Sequence, residues 1–137
     1  MNYKNRIFRV IDANFNRAKE GLRVCEDIMR LIINDEKLTQ GLKNYRHRVS
    51  AIIKNSGIDY QKLILFRDSE FDIGKRIRNI SAKNNVADLF LANSQRTKES
   101  LRVLEELFSI LNKKTAQRFQ SLRFKFYELE KQCIKKI

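Results

Sequence analysis

Asn14, Arg17 and Glu20 return as Asn93, Arg96 and Glu99 in a second copy of one fourteen-residue stretch. The first copy runs from Ala13 to Glu26 and the second from Ala92 to Glu105, with nine positions identical and no gap. A repeated apolar pattern needs only a core to explain it, but this repeat also keeps an amide, two arginines and two glutamates. Such groups suit the binding of a charged or polar ligand. They equally suit a structural network in which Asn caps a partner helix and Arg pairs with Glu. On a wheel of about 100° per residue, Asn14 and Asn93 fall inside the apolar face and Arg17 and Arg96 border it. Each copy is therefore expected to aim its polar groups at the interior edge of a helical bundle, with the two copies around one shared cavity. Asp27, Glu26, Lys19 and Arg30 fall on the outer face and read as solvated charges.

Lys and Arg number 29 against 16 Asp and Glu, a net charge of +13. That balance favours anionic partners, whether phosphorylated small molecules, nucleic acid or anionic lipid. The phenylalanines follow core spacing instead of interleaving with the basic residues, which argues against nucleic acid. No apolar run approaches the ~20 residues of a membrane span, and the first residues lack the apolar core of a signal peptide. A cytoplasmic chain is expected. Cys25 and Cys133 fit two reduced core residues better than a disulfide or zinc framework.

The usual catalytic signatures, GxxxxGK[ST], GxGxxG, HExxH and GxSxG, are missing. His47, the one histidine, lies between Arg46 and Arg48 and reads as a proton carrier or a structural residue. Asp68, Glu70 and Asp72 sit at a spacing compatible with a metal, and Gly74-Lys75 is only a fragment of a phosphate loop.

These residues need elements to position them, and the elements are helical. There is no proline, and the four glycines rarely interrupt a periodic segment. Ile7, Ile11, Ala18, Leu22, Cys25, Met29 and Ile32 follow helical spacing up to a break at Asn34-Asp35. A second helix is predicted over 36–55, with Leu38, Leu42, Tyr45, Val49 and Ile52 on one face and Gly57 beyond its end. Residues 58–82 predict a short helix and an ordered loop. A third long helix spans 84–111, Asn112 to Thr115 breaks it, and a fourth carries Phe119, Leu122, Phe126, Leu129 and Cys133. Arg46-His47 then lies opposite Arg123-Phe124. The expected fold is all-α and one domain over 1–137: repeat 1 at about 5–55, a crossover at 56–83, and repeat 2 at about 84–137. The two hairpins pack as a pseudo-twofold four-helix bundle. Gly21 and Ser100 are small residues in the stripe that allow close helix approach.

The segment Ile11 to Asp27 resembles the opening of a small helical family found alone or fused in front of thiamine-phosphate synthase. That family is described as a monofunctional hydroxymethylpyrimidine phosphate kinase. The likeness continues through Leu42 to His47, Arg67-Asp68, Asp72-Ile73-Gly74, the second repeat, and Leu122-Arg123 to Leu129-Glu130-Lys131. Phe15, Lys19 and Tyr45 depart from the usual residues without removing a charged or amide member. The synthase barrel is absent, so that second reaction is not expected here.

The resemblance implies transfer of a phosphoryl group from ATP, with Mg2+, to 4-amino-5-hydroxymethyl-2-methylpyrimidine phosphate. On that basis Arg17, Arg96, Arg46 and Arg67 are the expected phosphate ligands and catalytic groups. Asn14, Asn93, Glu20, Glu99 and His47 are expected around the substrate, and Asp68 and Asp72 at the metal. A non-catalytic module that binds thiamine intermediates or partners the synthase stays open, as does a basic nucleic-acid binder. The sequence also leaves open a homo-oligomer with its site between subunits.

Overall fold

Asparagine or aspartate stands at the start of every α-helix, and its side-chain oxygen accepts an N–H of the first turn. Asn2, Asp35, Asp59, Asn85 and Asn112 do this for α1 (Tyr3–Asp27), α2 (Glu36–Lys54), α3 (Tyr60–Leu65), α4 (Val86–Leu111) and α5 (Lys113–Ile134). The computed structural model describes residues 2–77 and 80–137, and no strand occurs among them. The fold is all-α, as expected. Asn112 both ends α4 and caps α5, so the break expected over Asn112–Thr115 narrows to one extended residue.

α1 continues through a π-helical turn, Ile28–Ile33, closed by Asn34 in the left-handed region. The wider turn rotates the register of the stripe. Ile28 and Met29 are buried, while Ile32 is 57% exposed instead of facing the core. On α2 the buried face is Leu38, Leu42, Tyr45, Val49 and Ile53, with Ile52 only half-buried. On α5 it is Phe119, Leu122, Phe126 and Cys133, with Leu129 at the margin. Among its described residues, the crossover between the hairpins holds α3 and a 3-10 turn, Ile73–Arg76.

α1 packs against α4 and α2, α4 against α5, and α2 against α5, which closes a ring of four helices. The α1–α4 seam sets the geometry. The Cys25 thiol donates to the Phe90 carbonyl and the Thr97 hydroxyl to the Ala18 carbonyl. Residue number falls on one helix as it rises on the other, so the pair is antiparallel. Gly21 is the close approach: a Cβ there would lie 2.5 Å from Thr97 Oγ1 and 2.7 Å from the Asn93 carbonyl oxygen. Cys25 and Cys133 are free, buried thiols, as expected.

The pseudo-twofold extends to charge. Glu26 on α1 receives Arg46 of α2 at 3.3 Å and Arg23 at 2.8 Å. At the matching place Glu105 on α4 receives Arg123 of α5 at 3.3 Å and Arg102 at 3.5 Å. Both glutamates are buried, Glu26 at 3% and Glu105 at 8% exposed. The expectation of Glu26 as a solvated charge fails because α2 covers that flank of α1.

Candidate functional site

Arg6, Arg9, Ala13 and Arg17 recur at steps of three and four residues, a single stripe on α1. The core residues Ile11, Phe15, Ala18 and Leu22 occupy the opposite side of the same helix. The arginine stripe therefore faces out of the bundle. Over it lies the crossover, and between them is a cavity of about 490 Å3 lined by Arg6, Arg9, Asp12, Asn14, Arg17, Arg67, Asp68 and Asp72, among others.

Several links hold the crossover there. The Phe8 and Phe66 rings stack at 5.7 Å, and Tyr60 meets Phe15 edge-on at 5.6 Å. Arg9 donates to the Asp68 carbonyl at 3.3 Å. Arg67 grips Asp12 with two parallel bonds, Nε to Oδ2 at 2.6 Å and an Nη to Oδ1 at 2.8 Å. These bonds push the Arg67 pKa up further. Asp12 is 2% exposed and also accepts from the Asn16 amide at 3.2 Å. Asp68 Oδ1 accepts the Phe71 N–H, and Asp72 Oδ1 accepts the Gly74 N–H, so each carboxylate shapes a turn with one oxygen.

Four arginines against three aspartates leave this lining cationic, with carboxylates at one edge. Neither Arg6 nor Arg17 is within ion-pair reach of an acid among the described residues. Two outward guanidinium groups, eleven residues or about 16 Å apart along α1 at 1.5 Å per residue, bracket the lining beside two half-used carboxylates, an arrangement that suits an extended phosphorylated ligand and a cation carried with it.

The structure thus gathers Asn14, Arg17, Arg67, Asp68 and Asp72, but it does not bring the second copy to them. α1 and α4 cross at Ala18 and Thr97, the same position in both copies. Asn14 and Asn93 lie four residues to either side, about 12 Å apart along the seam at 1.5 Å per residue. Among the described residues, the lining of the cavity on α1 includes none of the second copy. Each asparagine instead donates to the carbonyl one turn back, Asn14 to Val10 and Asn93 to Leu89, both at 2.9 Å. Arg96 is exposed on α4, and Glu99 accepts from Gln95 at 3.2 Å beside a separate depression with Lys98, Arg102 and Arg123. Glu20 is exposed on α1 and His47 on α2, neither in the lining. Arg46 is turned onto Glu26, away from the cavity.

Arg6, Arg9 and Asp12 are charged lining residues that lie outside the set expected from the sequence. The arginines had a signal in their spacing. Asp12 sits one residue before the repeat, where the second copy has Leu91. Among the described residues, no three His, Cys, Asp or Glu side chains stand together as a metal cluster. No described helix is long and apolar enough to cross a membrane.

The ThiD2 family model matches residues 9–132, and the chain belongs to the ThiD2 family. Curated relatives carry the name thiamine-phosphate synthase. One from Rhodopirellula baltica is 33% identical over 88% of this chain and 32% of its own length. One from Prochlorococcus marinus subsp. pastoris is 34% identical over 91% and 34%, and one from Synechococcus sp. is 32% identical over 94% and 36%. The chain spans about a third of the length of these relatives. No solved structure matches it.

Proposed function

We propose that this ThiD2-family chain acts in thiamine biosynthesis, transferring the γ-phosphoryl group of ATP to 4-amino-5-hydroxymethyl-2-methylpyrimidine phosphate in the cavity between α1 and the crossover. The observation that carries the reading is the convergence of Asn14, Arg17, Arg67, Asp68 and Asp72. All five belong to the segments that resemble the kinase family, and the fold brings them from two distant stretches into one cationic cavity. The names of the relatives support the pathway, and the kinase step rests on the cavity and on the resemblance of its segments to the kinase family.

The chemistry asks little of a base. A phosphate monoester loses its second proton near pH ~6, so the attacking oxygen is already anionic at neutral pH. What remains is positioning and charge stabilisation, which arginine supplies through a guanidinium that stays charged. Arg6 and Arg17 are free to take phosphate oxygens. Asp68 and Asp72 each have one carboxylate oxygen not used in a turn. Two carboxylates fit a magnesium ion that arrives with its nucleotide and completes its shell with phosphate oxygens and water. When bound, magnesium would neutralise charge on the transferring group.

Phosphorus NMR on the protein with ATP, magnesium and the pyrimidine monophosphate tests the reading. Appearance of a diphosphate doublet with stoichiometric ADP is expected. Binding of the pyrimidine phosphate without ATP turnover would instead establish a non-catalytic module, a reading favoured by relatives named for a different reaction.

A further inference from the structure

The two copies of the repeat are close in sequence, yet only the first is covered by the crossover. The residue that differs where it matters is Asp12. Its counterpart in α4, seventy-nine positions later, is Leu91, which is 45% exposed. Asp12 by contrast is almost fully buried, and its partner across 55 residues of sequence is Arg67. We infer that the Asp12–Arg67 pair is a clasp that creates the cavity on the first repeat alone, making both positioning residues, while Arg6 and Arg17 form the seat for the phosphate anion.

Geometry divides the arginines in this way. Arg67 spends Nε and one terminal nitrogen on a single carboxylate at 2.6 and 2.8 Å. A phosphate that took those donors would leave Asp12 charged, buried and unpaired, which is the costly outcome for a desolvated carboxylate. Arg9 gives one donor to the Asp68 carbonyl at 3.3 Å, which ties it to the crossover. Arg6 and Arg17 stand on the same α1 stripe, about 16 Å apart along the axis, are exposed, and pair with no acid among the described residues. A phosphate can take their donors without stranding a buried charge. The clasp also fixes Asp68, the next residue, against α1. Losing it frees the segment that carries both carboxylates at the cavity edge.

The inference rests on the proposed kinase reading only for the identity of the anion, so its test uses no turnover. Inorganic pyrophosphate is the probe, its affinity measured by calorimetry. Trypsin cleavage after Arg67 reports whether the crossover is fastened. Asp12→Leu, which copies the second repeat, is expected to weaken pyrophosphate about tenfold or more and to speed cleavage at Arg67 by a similar factor. Arg67→Leu should weaken pyrophosphate as much, and the double variant no more than the worse single one, because both changes break one clasp. If Asp12→Leu fails to fold, Asp12→Asn keeps the shape, removes the charge, and should move both readouts in the same direction. Arg6→Gln or Arg17→Lys should weaken pyrophosphate without altering cleavage at Arg67.

Retained or improved pyrophosphate affinity in Asp12→Leu or Asp12→Asn, with a further loss in the double variant, would show that Arg67 itself holds the anion, and overturn the assignment. Unchanged trypsin cleavage would overturn the clasp. Failure of the wild-type protein to take pyrophosphate at millimolar concentration would overturn the seat. A clasp that passes these tests in a protein without kinase activity would leave this inference standing and remove the proposed function.

Discussion

The Thr97 hydroxyl donates to the Ala18 carbonyl at 3.2 Å, and the two residues hold the same position in the two copies of the repeat. The pseudo-twofold axis therefore passes between them, and every other repeated pair is carried apart along antiparallel helices. This one crossing explains why a duplicated motif gives two separate surfaces instead of one shared pocket.

The crossing depends on Gly21. Overpacking costs about 1–3 kcal/mol, and the Asn93 carbonyl at 2.7 Å belongs to the backbone and cannot rotate away. The gain in helix preference from glycine to alanine is about 1 kcal/mol and does not offset the upper part of that range. Gly21→Ala should lower the urea midpoint, and adding Thr97→Ala should recover only part of the loss, because it removes only the contact at 2.5 Å.

Arg46 and Arg123 provide a matched pair of tests. Each meets a buried glutamate at 3.3 Å from the neighbouring helix. Removing one member of a buried pair costs about 3–5 kcal/mol, and the partial access left to Arg46, 17% of its side chain, lowers that to about 2–4. Arg46→Leu and Arg123→Leu should both lower stability by this order in denaturant titrations. Activity should follow the folded fraction, with KM for the pyrimidine phosphate unchanged.

Arg17 should behave in the opposite way. It is exposed and has no acidic partner among the described residues, so its packing contributes little. Arg17→Lys keeps the charge but loses the planar fork. Thermal melts should shift by a degree or so, whereas KM for the pyrimidine phosphate should rise about tenfold, a transition of ~1.4 kcal/mol in binding. A parallel fall of stability and rate would place Arg17 in the scaffold.

The helices and most of their core stripes were legible because each follows from local spacing: Ile11, Ala18, Leu22 and Cys25 bury where period 3.6 puts them. Glu26 was misplaced because a single-helix wheel has one inside and one outside, and α1 has neighbours on two flanks. The cavity was harder. Its walls are an outward arginine stripe and a segment about fifty residues away, and nothing local in either says that they meet. Two signals did exist: the spacing of Arg6, Arg9 and Arg17, and the change from Asp12 to Leu91 just ahead of the two copies of the repeat.

Cys25 and Cys133 give an alkaline limit to stability. Burial pushes both thiols up, Cys133 from 9.0 to about 12 and Cys25 further still. A raised folded-state pKa means that their contribution is complete below pH 9, where thiols of the unfolded chain are protonated as well. It then falls as pH rises toward 12, because the unfolded thiols ionise and the buried ones do not. Unfolding free energy should decline from about pH 9 upward, and Cys133→Ser should flatten part of that slope. Thiol labelling of the native protein at pH 8 should follow global unfolding.

Substrate choice tests the chemistry of the cavity most directly. The one histidine, His47, is exposed on α2 and lies outside the lining, and the two carboxylates at the cavity edge each hold a turn N–H with one oxygen and, in the proposed reading, give the other to magnesium. An alcohol acceptor needs a base to take its proton in the transition state, an effect worth typically about 10²–10⁴ in rate. A phosphate acceptor needs none, and it gains from Arg6 and Arg17. The pyrimidine monophosphate should therefore be phosphorylated at least about a hundredfold more efficiently, in kcat/KM, than the unphosphorylated hydroxymethylpyrimidine. Raising the pH from 5 to 7 should increase the rate with the monophosphate as its second proton leaves, following the pKa near ~6 of the substrate and not of any side chain. Comparable kcat/KM for the two acceptors would mean that a base is at work in this cavity, supplied by the carboxylate oxygen that Asp68 or Asp72 does not use in its turn.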